Sequence, residues 1–319
     1  MNPNLVLLQS AVMFALAGGV LALSTYVKLW AGVLSFATVS FAAVGAYLTI
    51  WLYGEAGLGL LPALVVSMGI TGLFGLVVGR VFLKLSSHWM ALATVALMLI
   101  TRVFVTNLGE YTGGSQGQVV PYVMTLPQMA LMLALVCLLM WSLKRSKFGV
   151  AADTTREDPD VASALGVSVA QVKIIAFGIS GAVGALGGSM EAAQLSYIDP
   201  NTFYIDLAVT IIASVVLGGA YHWFGSVIGA AVFTGMPVYI SQYITEGQEI
   251  INGVLLLLII IFLPGGLIDP LRWRRFREKH AARRRDATAP RGTGSGASDT
   301  EDPGRSTALS DDIEAGARR

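Results

Sequence analysis

The chain has 319 residues, of which 55% are hydrophobic and only 13% are charged. A soluble domain of this length needs far more charged surface, so the composition excludes an ordinary soluble protein and indicates an integral membrane protein. The net charge of +1 hides an uneven distribution, because 12 of the 21 Lys and Arg residues lie in 272–319.

Long apolar stretches follow one another along most of the chain. A membrane-spanning helix needs roughly 20 apolar residues to cross about 30 Å of hydrocarbon, so we predict an all-α integral membrane protein with about nine transmembrane helices. The predicted spans are 5–27, 29–54, 56–79, 89–107, 111–143, 171–192, 207–221, 223–245 and 250–268. Residues 1–271 then form the transmembrane domain, and 272–319 form a basic juxtamembrane segment and a cytoplasmic tail predicted to be disordered.

Positive and negative charges alternate from one predicted loop to the next. One set of loops carries Lys28, Arg80, Lys84, Lys144, Arg145, Lys147 and Arg156, and the intervening loops carry Glu55, Glu110, Asp199, Glu246 and Glu249. Cytoplasmic loops retain Lys and Arg. This pattern therefore predicts that the N-terminus lies outside and the C-terminus lies in the cytoplasm.

Two Ser-Phe pairs occur in the second apolar stretch, Ser35 with Phe36 and Ser40 with Phe41. A break in a transporter helix exposes backbone donors that can receive an anionic group. The two phenylalanines offer an apolar lining, although aromatic residues also commonly face lipid. These four residues are candidates for a translocation path, and tight helix packing through small residues is the competing interpretation.

Two charged residues lie inside later predicted spans. Arg102 is close to the outer end of the fourth span, so we expect its side chain to reach the membrane interface rather than to bind a carboxylate. Glu191 follows small residues near the outer end of the sixth span. It is a candidate ligand for a substrate ammonium, but we favour a water-exposed carboxylate at the interface.

The loop 144–173 predicts one short, well-capped helix. Asp158 is suited to cap a helix that has Pro159 at its first position, where the missing N–H costs nothing. Gly166 ends this helix, and Ser168 opens the next one. Its small apolar face comprises Val161, Ala164 and Leu165. So short a helix is not stable alone, and it must dock on its own membrane domain or on a separate cytoplasmic protein.

The transmembrane region carries no recognisable catalytic pattern. The sequence has no GxxxxGK[ST] phosphate-binding loop, and its three histidines, His88, His222 and His280, lack metal-ligand spacing. We therefore predict no enzyme activity, no metal, no cofactor and no nucleic-acid site in this chain.

Several motifs then occur in the order in which they occur in a known family. REDPDVASALGVSVAQVKIIAFGISGAVGALGG combines an arginine and acidic residues with a lysine and Ala-Phe that open a glycine-rich helix. The others are GVLSFATVSFAAVGAY (32–47), TGGSQG (112–117), YIDPNTF (197–203), VVLGG (215–219) and FLPGGL (262–267). Together they resemble the permease subunits of branched-chain amino-acid ABC importers, and the segment around Ser35 and Ser40 resembles the M-type (LivM-like) half.

The resemblance implies a coupling loop that contacts an ATPase. Its residues here are Arg156, Glu157, Asp158, Pro159, Ala162, Ala164, Leu165 and Gly166. The resemblance also implies a second, H-type permease subunit, cytoplasmic ABC ATPases, an extracytoplasmic solute-binding protein, and a location in the bacterial inner membrane. The implied substrate is a branched-chain or related hydrophobic amino acid.

Two departures from the family pattern leave alternatives open. AYHWFGS (220–226) follows VVLGG where the family has a further glycine and small residues, and Glu191 stands where a small or aromatic residue is usual. Urea or a short amide is therefore an alternative substrate. A stand-alone secondary transporter or channel, and a membrane scaffold that transports nothing, are alternatives from other functional classes.

Overall fold

The computed structural model describes residues 3–85, 87–219 and 222–240, and these are mostly helical. Six of the described helices are long and apolar enough to cross a membrane. They are α1 (Pro3–Trp30), α2 (Ala37–Gly54), α3 (Leu60–Phe82), α4 (Ser87–Asn107), α6 (Leu126–Arg145) and α9 (Val169–Leu195). The predicted span 250–268 and the predicted disordered tail lie outside the described residues, so the count of nine spans stays a prediction.

Shorter elements connect and follow these six helices. They are α5 (Gly109–Thr112), a 3₁₀ turn (Gly114–Gln116), β1 (Gln118–Val119), α7 (Lys147–Glu157), α8 (Pro159–Ala164), β2 (Tyr197–Ile198), α10 (Ile205–Gly218), α11 (Trp223–Ala230), a π-helical turn (Ala231–Gly235) and α12 (Met236–Ile240). β1 and β2 form a two-residue antiparallel ladder, in which Gln118 pairs with Ile198 and Val119 with Tyr197. This ladder joins two loops and leaves the helical architecture unchanged.

The fifth predicted span, 111–143, is helical only in its later part. Gly113 has a φ of 73°, a left-handed conformation that ends α5. α6 begins at Leu126, where Pro127 is tolerated in the first turn and the Gln128 side chain accepts a hydrogen bond from the Thr125 N–H at 2.9 Å. The polar residues before Leu126 therefore form a loop rather than membrane helix.

Helix α9 is the centre of the described bundle, and α1, α2 and α3 all pack against it. Its small residues permit this close packing. A Cβ added to Gly188 would lie 2.1 Å from the Ala42 carbonyl oxygen of α2, and one added to Gly181 would lie 2.5 Å from the Thr71 carbonyl oxygen of α3. The glycines of α9 thus serve tight helix packing.

The outward faces of α3, α4 and α6 carry exposed apolar side chains. Val65 on α3, Phe104 on α4 and Leu131 on α6 are 67%, 63% and 56% exposed. A soluble protein rarely exposes so much contiguous apolar surface, and a membrane protein presents such faces to lipid. These faces fit a bundle surrounded by the bilayer.

Candidate functional site

The predicted interruption of the second apolar stretch is a real break between α1 and α2. Residues 31–36 are non-helical, and the chain turns at Gly32 before α2 begins at Ala37. The Phe36 N–H donates to the Thr94 hydroxyl of α4 at 3.0 Å, which anchors the break to a neighbouring helix. Ser35 and Phe36 lie in this break, whereas Ser40 and Phe41 lie inside α2.

Lys28 lies next to the break and is fully buried. The sequence analysis placed this lysine in a cytoplasmic loop, which is wrong because α1 continues to Trp30 and other helices cover the side chain. Its Nζ donates to the Thr38 hydroxyl at 2.6 Å and lies 5.3 Å and 5.9 Å from the ring centres of Phe41 and Phe177. In the part of the chain that the structure describes, these are the partners of its ammonium group.

The Thr38 hydroxyl continues this contact into a short polar chain. It lies 2.7 Å from the Thr25 hydroxyl of α1. Thr25, Ser35 and Thr38 line a narrow crevice. The other lining residues are apolar: Phe36 and Val39 of the same segment, and Ala208, Ile211 and Ile212 of α10. The lining of the crevice is therefore partly hydroxyl and partly apolar.

Of the four Ser and Phe candidates, two line this crevice and two do not. Ser35 is 2% exposed, and its Oγ accepts a hydrogen bond from the Ala37 N–H at 3.2 Å. Phe36 is half-buried. Ser40 is buried, has no hydrogen-bond partner among the described residues, and does not line the crevice. Phe41 is fully buried against Lys28 and Phe74, so it does not face lipid.

Glu191 is buried, and the prediction that it faces water is wrong. Its side chain is 8% exposed, and its Oε2 has no hydrogen-bond partner among the described residues. The reason is the close approach of neighbouring helices one turn earlier in α9, where Gly187 meets Leu21 of α1 and Gly188 meets Ala42 of α2. The close helix contacts at these glycines therefore enclose the carboxyl group of Glu191, one turn later in α9.

Arg102 contacts the loop that precedes α10. Its Nη2 donates to the Asn201 side chain at 2.7 Å, and its guanidinium lies 4.6 Å from the Tyr204 ring centre. Asn201 and Thr202 in turn donate to the Asp199 carboxylate. Partial burial alone would raise the pKa of Asp199, but these hydrogen bonds outweigh it and hold the pKa below its ordinary value. Arg102 thus connects α4 to the loop that carries the Asp199 carboxylate.

The loop 144–173 contains two helices, α7 and α8, and only α8 matches the predicted short helix. The Asp158 side chain accepts hydrogen bonds from the Asp160 and Val161 N–H groups at 2.9 Å and 3.1 Å, which caps α8. Gly166 has a φ of 81°, the left-handed conformation that lets the chain leave the helix. The Ser168 hydroxyl then accepts from the Gln171 N–H and opens α9.

The apolar residues of α8 divide between its own domain and solvent. Ala162 is fully buried, whereas Val161 and Leu165 are 51% and 72% exposed. The helix therefore buries one small residue and leaves an apolar patch, Val161 with Leu165, uncovered.

The chain is similar to known membrane permeases. A family model described as "Branched-chain amino acid transport system / permease component" matches residues 6–263. The chain belongs to this permease family. Together with the six long apolar helices among the described residues, this makes the chain a multi-pass inner-membrane protein.

Three relatives illustrate the range of this permease family. The LivM permease of a high-affinity branched-chain amino acid transport system in Salmonella typhimurium is 28% identical over 276 residues, covering 76% of this chain and 65% of LivM. A probable branched-chain amino acid transport permease, LivH of Methanocaldococcus jannaschii, is 24% identical over 304 residues, covering 85% of this chain and 94% of LivH. The autoinducer 2 import permease LsrC of Escherichia coli O157:H7 is 30% identical over 159 residues, 47% of this chain and 46% of LsrC.

The chain therefore spans 65% of the length of LivM, and no solved structure shows a significant match to it. Among the described residues of this permease, no group of three or more His, Cys, Asp or Glu side chains is placed to hold a metal ion.

The predicted path residues of this permease do not meet in one site. Ser35 and Phe36 lie at the crevice, Arg102 lies at the loop before α10, and Glu191 is buried near the C-terminal end of α9. The sequence analysis missed Lys28, Thr25 and Thr38 as neighbours of the crevice. The available signal was a lysine in an otherwise charge-free stretch, shortly before the Gly-Val-Leu-Ser segment where the helix breaks.

Proposed function

We propose that this chain is a permease subunit of an ATP-binding-cassette importer that moves a branched-chain or related hydrophobic amino acid across the bacterial inner membrane. The family and the named substrates of the LivM and LivH relatives support this choice. The LsrC match covers less than half of the chain. It supports transport as the class of function, and it is too partial to favour a different substrate.

The observation that carries the proposal is the uncovered apolar patch on α8. Val161 lies in this six-residue helix, which is capped at its start, and Leu165 is the residue at its C-terminal end, directly before Gly166. An isolated helix of this length is unstable, and exposed apolar residues on a preformed helix are typical of a docking surface. We assign the coupling role to this helix and to its flanking residues, Arg156, Glu157, Asp158, Pro159, Ala162, Ala164, Leu165 and Gly166.

The proposed complex contains a second, H-type permease subunit, cytoplasmic ATPases and an extracytoplasmic binding protein. The ATPases are separate subunits in this proposal, because the sequence has no GxxxxGK[ST] loop. ATP-driven closure of the ATPases would press on α8, and the membrane helices would shift between outward and inward openings. The N-terminus lies outside and the C-terminus inside in this arrangement.

The test reconstitutes the chain in vesicles with its partner permease, ATPase and binding protein. ATP-dependent uptake of labelled L-leucine is expected, with unlabelled urea and acetamide failing to compete. Leu165→Asp should lower uptake at least about tenfold, because a charge on a desolvated docking contact costs more than 1.4 kcal/mol. Leu165→Met keeps the patch apolar and should transport normally.

Contrary results point to the alternatives. Uptake without any ATPase, unchanged by Leu165→Asp, would replace the importer by a secondary transporter or channel. Competition by urea or acetamide would move the substrate to a short amide.

A further inference from the structure

We propose that the crevice at the break between α1 and α2 binds the carboxylate of the transported amino acid. The hydroxyls of Thr25, Thr38 and Ser35 are its ligands, and Lys28, which does not line the crevice but donates to Thr38, supplies the counter-charge. This assignment rests on the proposed transport function and names the residues that hold the substrate within the membrane.

The hydroxyl groups at the crevice have more hydrogens to donate than acceptors among the described residues. Lys28 donates to Thr38, and one hydroxyl hydrogen of the Thr25–Thr38 pair is used between the two threonines. Since the pair has two hydroxyl hydrogens, one is left to donate elsewhere. The Ser35 Oγ accepts from the Ala37 N–H, and its own hydrogen has no acceptor among the described residues. The crevice thus offers spare donors and suits a ligand that supplies acceptors.

Lys28 is fully buried beside Thr38. Its partners in the described residues are one hydroxyl and two aromatic rings, and none of them is a carboxylate. A buried ammonium is costly unless an anion or several hydrogen bonds stabilise it. A carboxylate bound at the Thr25–Thr38 pair would supply that anion.

The crevice lining also includes aliphatic side chains, Ala208, Ile211 and Ile212 of α10. A carboxylate with a short aliphatic chain therefore finds both polar donors and apolar contacts in the same lining. The first turn of α2, which starts beside the crevice, adds the positive end of a helix dipole.

The crevice is too narrow for an amino acid in this conformation. It lies between α10 and the start of α2, so a displacement of α10 away from α2 widens it. Alternating access requires movements of this kind. The bound state in this proposal is one in which α10 has moved outward, and the present structure is the closed state.

The test uses the complete reconstituted complex and three readouts: ATP-dependent L-leucine uptake, ATP hydrolysis, and the thermal unfolding midpoint of the complex. Lys28→Met should lower uptake at least about tenfold, because the bound carboxylate loses its counter-charge. ATP hydrolysis should continue, and the midpoint should stay or rise because methionine replaces a buried polar group with an apolar one of similar length. A lysine needed only for folding would instead lower the midpoint.

Substitutions of Thr38 provide the independent arm. Thr38→Val keeps the side-chain shape and should lower uptake about fivefold to tenfold, whereas Thr38→Ser keeps a hydroxyl and should restore most of it. Ser40→Ala is the matched control, since Ser40 is buried in the same helix outside the crevice.

The outcomes separate the two proposals. If the unmodified complex imports leucine and either Lys28→Met or Thr38→Val imports it at the same rate, the carboxylate site is refuted and the transport function stands. If the unmodified complex imports no leucine, the proposed function itself fails.

Discussion

At the scale of single residues, glycine positions decide how closely the central helices approach. A Cβ on Gly45 of α2 would lie 2.2 Å from the Cα of Ala185 in α9, a contact that real side chains do not make. A Cβ on Gly69 of α3 would meet nothing within 4 Å. The two glycines are both inside membrane-spanning helices, yet they stand in opposite environments.

This contrast gives the first prediction. Gly45→Ala should lower the free energy of unfolding by about 1–3 kcal/mol, because the helices must separate to admit the methyl group. Gly69→Ala should leave it unchanged or slightly raised, since alanine favours helix and fits open space. Thermal unfolding in detergent measures both, and equal effects of the two substitutions would contradict the packing role assigned to Gly45.

Two charged residues lie in environments that their local sequence does not predict. Lys28 and Glu191 are each near a predicted span end, so local sequence indicated loop or interface positions. The fold buries both, because the small residues of α9 draw α1 and α2 over them. Burial of one side chain depends on residues more than 100 positions away, which no local pattern reports.

At the scale of elements, helix α7 connects α8 to the end of α1, beside the break between α1 and α2. The buried Trp30 at the end of α1 donates from Nε1 to the Asp153 carboxylate of α7 at 2.6 Å, and its ring contacts Phe148 edge to face. The patch on α8 follows α7 directly in the chain. A push on α8 therefore has a short structural route to the break beside Lys28.

The second prediction concerns this contact. Asp153→Ala should lower the free energy of unfolding by about 1–3 kcal/mol, because it leaves the buried Trp30 N–H without its acceptor. Hydrogen exchange of the backbone in 147–157 should become faster at the same time. Thr154→Ala, whose hydroxyl bonds only within its own helix, is the matched control. Unchanged exchange in Asp153→Ala would show that the hydrogen bond does not hold α7.

At the scale of the whole molecule, the orientation in the membrane follows from charge placement and remains a prediction. Lys28 is not a loop residue, but the basic and acidic predicted loops still alternate without it. Arg80, Lys84 and the cluster from Lys144 to Arg156 lie in predicted loops that alternate with acidic ones. In this scheme Glu110 in α5 and Glu157 at the end of α7 lie on opposite sides of the membrane, and both side chains are exposed.

The third prediction tests that scheme by labelling. In a Cys137→Ala background, which removes the one native cysteine, Glu110→Cys should react with a membrane-impermeant maleimide in intact cells. Glu157→Cys should react only after the membrane is permeabilised. The reverse pattern would invert the topology and would separate α8 from any cytoplasmic ATPase.

The sequence by itself determined the membrane class, the approximate places of the six long helices and the capped helix at 159–164. These features depend on runs of apolar residues and on hydrogen bonds between near neighbours, so a local reading suffices. Only the tertiary structure decided that Lys28 and Glu191 are buried, that Thr25 and Thr38 share a crevice with α10, and that α8 rests on Ala162 with its apolar patch outward. These features arise where helices distant in sequence pack together, and packing is set by the mutual fit of whole surfaces.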